Sequence, residues 1–124
     1  PYTLHKIALV PSDRKQLHAR IEARFVQMLN DGFIDEVKAL LRDYPSLTTH
    51  STSMRCVGYR QALAYLSGDY DLSELRDRGI FATRQLAKRQ LTWLRGMQDV
   101  EVLDCLAANL DELVLQKIKH ALQL

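Results

Sequence analysis

From Arg78 to Gln98 the chain carries five basic residues and no acid, although its formal net charge is only +2. Charge of one sign gathered locally points to phosphate binding. Guanidinium and ammonium groups give charge-assisted hydrogen bonds to anionic oxygens, and a helix is the natural way to present them together. At 100° per residue, Arg84, Lys88 and Arg95 fall within about 40° of one another. Leu86, Ala87, Leu91, Trp93, Leu94 and Met97 are left as the packing face. A helix face that is merely solvated mixes signs to gain pairs one turn apart, whereas this one repels itself. A second basic segment, Arg55-Cys56-Val57-Gly58-Tyr59-Arg60-Gln61, comes after a polar loop and opens a helix. Free N–H groups at a helix start attract phosphate, two arginines strengthen that attraction, and Tyr59 can stack on a base. The same residues are equally consistent with a tyrosine anchoring the helix between two surface arginines. Arg20 and Arg24 lie one turn apart on an earlier helix, with Arg24 at the border of its apolar stripe. A guanidinium there needs a partner. Glu22 or an aspartate elsewhere would serve, and so would an anionic ligand such as a diphosphate.

Other chemistries find little footing. His5, His18, His50 and His120 have no metal-ligand spacing, no Ser/His/Asp grouping is discernible, and no GxxxxGK[ST] phosphate loop occurs. Cys56 and Cys105 form neither a CxxC nor a ligand pair, so a reduced, cytoplasmic setting is expected. No apolar run approaches the ~20 residues that span a bilayer, and no membrane association is expected.

Periodicity and punctuation give the positioning elements. At 124 residues, residues 1–124 are expected to form a single unit with a real core. Tyr2 to Val10 reads as a strand closed by Pro11. Ser12 is the expected cap of a helix running to about Asn30, with Leu17, Ile21, Phe25 and Met28 on one stripe. Gly32 separates it from a short helix carrying Val37, Leu40 and Leu41, closed by Pro45. After an exposed 46–53 loop, a third helix is expected from Met54 to Gly68. Asp71 and Glu74 start the long basic helix in capping-box fashion, and Gly96 ends it. Val100 to Leu103 is a second short strand. Asn109 and Glu112 cap a last helix with Leu113, Ile118 and Leu122 inward. The fold class is therefore mainly α with two short β-strands. Two short strands so far apart do not make a robust sheet alone, which suggests edge members of a larger parallel sheet. The abrupt strand behind Pro1, with no initiating Met, likewise suggests a segment of a longer protein.

Arg24-Phe25, Met28-Leu29, Gly32-Phe33, Glu36-Val37, Arg55 to Gln61, Tyr65-Leu66-Ser67-Gly68 and Ala82 to Arg95 together resemble the C-terminal part of bacterial tRNA dimethylallyltransferases, also called tRNA isopentenyltransferases. The resemblance covers essentially the whole chain. It implies a fragment of a nucleotide-binding, P-loop kinase-like α/β enzyme. The phosphate loop, the carboxylate base and an insertion domain are implied to lie outside this segment, which is therefore expected to be inactive alone. Such enzymes move a dimethylallyl group from dimethylallyl diphosphate to the exocyclic amine of the adenosine 3′ of the anticodon. That adenosine is flipped into a channel. Mg²⁺ is implied at the diphosphate, held by the N-terminal half, and the full-length enzyme is implied to be monomeric. By position, Arg24 matches a diphosphate-holding arginine. Arg55, Cys56, Val57, Gly58, Tyr59 and Arg60 match one stretch that contacts the tRNA anticodon arm, and Lys88, Arg89, Gln90, Leu91, Thr92, Trp93, Leu94 and Arg95 match another. No catalytic or metal-binding residue is expected in this segment. The alternatives are a non-catalytic helical RNA-binding module and a related transferase acting on free adenine nucleotides. The Arg55–Gln61 segment argues against the latter.

Overall fold

The computed structural model of the chain describes residues 2–123. The element order is β1 (Lys6–Val10), α1 (Arg14–Asn30), α2 (Phe33–Asp43), a 3-10 turn (Ser53–Arg55), α3 (Tyr59–Leu66), α4 (Leu72–Gly96), β2 (Val100–Asp104) and α5 (Leu110–Leu122). Among the described residues, five helices and two strands match the expected class. The chain divides into two compact units, one spanning His18–Lys88 and the other formed by the residues up to Leu17 together with those from Arg89 onward.

The His18–Lys88 unit holds most of the buried side chains. Phe33, Val37, Met54, Ala62 and Leu63 form its central cluster, with Met28, Leu29, Leu40, Leu41 and Leu66 packed around it. Ile21 and Phe25 of α1 and Leu75 and Ile80 of α4 are also buried. Gly79 permits a very close approach to α1, for a Cβ there would overlap the ring of Phe25. Asp71 caps α4 as expected, accepting from the Glu74 amide at 2.8 Å.

In the other unit, β1 and β2 pair in parallel, in register from Lys6 with Val100 to Val10 with Asp104. Asp104 ties the ends of both strands to the segments beyond them. One of its carboxylate oxygens accepts from the amides of Ser12 (3.1 Å) and Leu106 (2.9 Å). The Ser12 hydroxyl first, then the Leu106 amide, hold the Asp104 carboxyl below its ordinary range.

Four local expectations are corrected. The first strand begins only at Lys6, because its partner β2 begins at Val100, opposite it, and offers no ladder before that point. Ser12 does not cap α1. Asp13 does, accepting from the amides of Lys15 (2.8 Å) and Gln16 (3.4 Å), because α1 starts at Arg14 and the Ser12 side chain is turned to Asp104. The third helix does not begin at Met54. A 3-10 turn covers Ser53–Arg55, and α3 starts at Tyr59 after Gly58, whose φ of 95° is a left-handed value that breaks helical continuity. Ile118 and Leu122 are not buried as expected; both are exposed, and α5 has no fully buried residue among those described.

Candidate nucleic-acid interface

The segment from Arg55 to Arg60 links the 3-10 turn to α3. Gly58 sits at the α3 N-cap, where its amide donates to Oε1 of Gln61 at 2.8 Å and its carbonyl accepts from the Ala62 amide. Gln61 is the buried polar residue that makes this start possible, and the Tyr70 hydroxyl donates to its carbonyl at 2.7 Å. Arg55, Cys56 and Arg60 are exposed and Val57 is half-buried. Tyr59 takes the anchoring role. Its ring packs edge-on against Phe33 at 5.5 Å, and its hydroxyl donates to Oε1 of Glu36 at 2.5 Å. That hydrogen bond, followed by partial burial, pushes the phenol pKa up. A ring held on both counts is not a free stacking surface.

Arg24 is exposed on α1 and makes no ion pair among the described residues. Exposure removes the expected cost of its place on the stripe. Glu22, the partner considered for it, is occupied elsewhere, with Arg76 at 3.2 Å on one oxygen and Arg84 at 3.2 Å on the other.

This clamp revises the reading of the basic helix. Arg84 does not belong to a phosphate-facing stripe with Lys88 and Arg95; it is half-buried against Glu22, and its Nε has no hydrogen-bond partner among the described residues. Arg84 lies one turn beyond buried Ile80, about 40° from it around the helix, on the side that α1 meets. Arg78 is engaged too, by Glu74 at 2.7 Å and over the Tyr70 ring at 4.8 Å. Burial raises the Tyr70 pKa, partly opposed by the charges of Arg78 and Arg60. Further along α4, Lys88, Arg89, Gln90, Thr92, Trp93 and Arg95 are exposed, while Leu91 and Leu94 are half-buried as packing residues. Trp93 and Met97 leave the expected packing face for solvent. Trp93 is two residues from Leu91, hence about 200° away on the wheel, and one face cannot bury both. Lys88 is exposed but not without an interaction, and the same holds for Thr92.

Chemically, the exposed guanidinium groups of Arg55, Arg60, Arg89 and Arg95 in the two segments can bind anions. Among the described residues, no group of three or more His, Cys, Asp or Glu side chains could hold a metal ion. No helix among them is long and apolar enough to cross a membrane.

Known proteins of similar sequence point the same way. The chain is 63% identical over 106 residues to the tRNA dimethylallyltransferase of Methylobacillus flagellatus, covering 86% of this chain and 34% of that protein. It is 58% identical over 122 residues to the tRNA dimethylallyltransferase of Janthinobacterium sp. (strain Marseille), covering 98% of this chain and 38% of that protein. Among solved structures, it superposes on the full-length tRNA isopentenylpyrophosphate transferase from Bacillus halodurans with a TM-score of 0.81 and 31% identity, covering 97% of this chain and 41% of that one. The tRNA delta(2)-isopentenylpyrophosphate transferase from Staphylococcus epidermidis gives a TM-score of 0.74 and 29% identity, covering 94% and 38%. The chain thus spans about a third of the length of the curated relatives it matches. With residues 1–97 matching the family model described as IPP transferase, the chain belongs to the IPP transferase family and corresponds to a C-terminal part of its enzyme.

Proposed function

We propose that the protein to which this chain belongs transfers a dimethylallyl group from dimethylallyl diphosphate to the exocyclic amine of the adenosine 3′ of the anticodon in tRNA. In that reaction the amine nitrogen bonds to the terminal carbon of the dimethylallyl group, the carbon–oxygen bond to diphosphate breaks, and diphosphate leaves. The nitrogen's proton passes to a carboxylate base outside this chain. Residues 1–124 act as one C-terminal segment, supplying tRNA contacts and part of the channel wall. The observation that carries this reading is the run from Lys88 to Arg95, basic, free of acids and exposed at Arg89 and Arg95, in a chain that belongs to the IPP transferase family.

The roles divide by position. The unpaired, exposed guanidinium of Arg24 suits the diphosphate, which its fork can hold through two oxygens. Arg55 and Arg60, with the backbone from Cys56 to Tyr59, face the anticodon arm from one segment. Lys88 to Arg95 do so from the other. Phosphate contacts of this kind fix the position of the RNA, and the flipped adenosine is read in the channel. Mg²⁺ at the diphosphate would be held by residues outside this chain, since the described residues offer no ligand cluster for it. The enzyme acts as a monomer in the cytoplasm.

Incubating the full-length protein with an anticodon-arm RNA and labelled dimethylallyl diphosphate tests the reading. Label should enter the RNA at the adenosine 3′ of the anticodon, and the isolated chain should transfer none. Transfer to free adenine nucleotides in preference to RNA, or RNA binding with no transfer by the full-length protein, would refute it.

A further inference from the structure

Arg55 and Arg60 stand at the two ends of one short turn, and that turn is held from inside the fold. Its backbone is extended at Cys56 (φ −61°, ψ 149°) and turns at buried Gly58, where φ is 95° and ψ −65°. Glycine takes either sign of φ with similar ease, so Gly58 does not keep this conformation unaided. Gln61 keeps it. Its Oε1 accepts from the Gly58 amide at 2.8 Å, while the Phe33 ring lies 3.6 Å from where a Cβ of Gly58 would stand. Gln61 is itself fixed: it is 8% exposed, and its carbonyl accepts from the Tyr70 hydroxyl at 2.7 Å. The Tyr70 ring in turn lies 4.8 Å from the Arg78 guanidinium. All of these residues belong to the His18–Lys88 unit, and whatever adjoins this chain in the longer protein can only bury Gln61 further.

A polar side chain in a core is costly unless its bonds are made. Capping a helix does not demand that burial, since a Gln at the third helical position can reach the cap amide from the surface. From within the fold, however, the carboxamide grips the turn and leaves its outer side to the two arginines. We propose that Gln61 is a positioning residue for RNA binding. By holding the Gly58 amide it fixes the separation of the backbone positions that carry Arg55 and Arg60, so that both reach phosphates from a turn already ordered. Without that bond the arginines keep their charge but the turn has to be ordered on binding, which weakens affinity without removing a phosphate contact. The inference rests on the tRNA reading above and extends it to a residue outside the contacting segments.

The test uses the full-length protein, an anticodon stem-loop RNA and labelled dimethylallyl diphosphate, with steady-state kinetics, RNA binding across a salt series, and thermal melts. Gln61→Met removes the acceptor at nearly constant volume. It should raise KM for the RNA about tenfold, with kcat and KM for dimethylallyl diphosphate unchanged. The slope of log K against log[salt] should stay that of the unaltered protein, whereas Arg60→Gln should flatten it by about 0.7–0.9. Gln61→Glu keeps an acceptor oxygen and should recover most of the RNA KM. Tyr70→Phe keeps the ring and removes only the hydroxyl; it should raise the RNA KM about threefold, and it decides the matter if Gln61→Met fails to fold. A lowered Tm with an unaltered RNA KM in these variants would overturn the proposal and leave Gln61 a helix cap, with the tRNA reading standing. Equal rises in both KM values would overturn it in favour of a general loosening of the fold. Label that never enters RNA with the unaltered protein would overturn the tRNA reading and the proposal together.

Discussion

Replacing Gly79 by alanine should destabilise the protein, against the usual effect of that change in a helix. In an exposed helix interior, Ala gains about 1 kcal/mol over Gly. Here the new Cβ would overlap three atoms of the Phe25 ring, the farthest of them at 2.6 Å. That ring is only 4% exposed and already packs edge-on against Phe33 at 6.4 Å, so it has no solvent to swing into. Overpacking of this kind costs roughly 1–3 kcal/mol, and three ring atoms in collision put the cost at the upper end. The net loss is then about 1–2 kcal/mol, or a Tm lowered by roughly 4 °C per kcal/mol. Thermal melts of Gly79→Ala, Phe25→Leu and the double variant measure it. Phe25→Leu alone should cost about 1–2 kcal/mol in lost packing. On that background Gly79→Ala should be neutral or stabilising, because the colliding ring is gone. A raised Tm for Gly79→Ala in the otherwise unaltered protein would refute the close approach of α1 and α4 at this point.

Arg24→Ala in the full-length protein should raise KM for dimethylallyl diphosphate or lower kcat by the equivalent of about 1.5–3 kcal/mol, with melting unchanged because Arg24 has no ion pair among the described residues; steady-state kinetics beside a melt checks both. Arg89→Gln with Arg95→Gln should flatten the slope of log K against log[salt] for RNA by about 0.7–0.9 per lost phosphate contact, whereas Arg84→Gln should leave the slope alone and lower the Tm, since its charge is spent on Glu22. For Asp104 the folded carboxyl lies below its unfolded pKa, so its contribution is present above the unfolded value and lost as pH falls through the folded one. Melts from about pH 6 down to about pH 2 should show a loss of stability beginning near pH ~4 that is diminished in Asp104→Asn.

Sequence legibility tracked the range of the interaction that decides each feature. The long helix was readable because its start is local: Asp71 caps an amide three residues away. The break between α1 and α2 was readable for the same reason, as Gly32 stands within one turn of both. Where a distant partner decides, the pattern was silent. Asp13 rather than Ser12 caps α1, and the Ser12 side chain answers instead to Asp104, 92 positions on. Between the two roles left open for Tyr59, stacking and anchoring, the choice falls to Phe33 and Glu36, on a helix formed much earlier in the chain. The wheel grouped Arg84 with Lys88 and Arg95 correctly by angle, yet angle alone does not say that a carboxylate of α1 meets it. Ile118 and Leu122 look like core residues by spacing, and spacing does not tell whether anything covers them. The basic character of both candidate RNA-facing segments needed no long-range information, and it was legible in full.

The parallel pairing of β1 with β2 sets an order on how the chain reaches its fold. The Lys6 ammonium meets the Gln98 carbonyl across 92 positions, so joining the strands from an open coil forfeits about 4 kcal/mol of chain freedom before any ladder bond repays it. The His18–Lys88 unit is continuous in sequence and can condense through contacts between near neighbours, shortening the span that remains to be closed. During synthesis that unit emerges complete while β2 is still unmade, and the edge of β1 that takes β2 waits unpaired. The late partner of β1 makes strand pairing, not helix formation, the slow step for this chain.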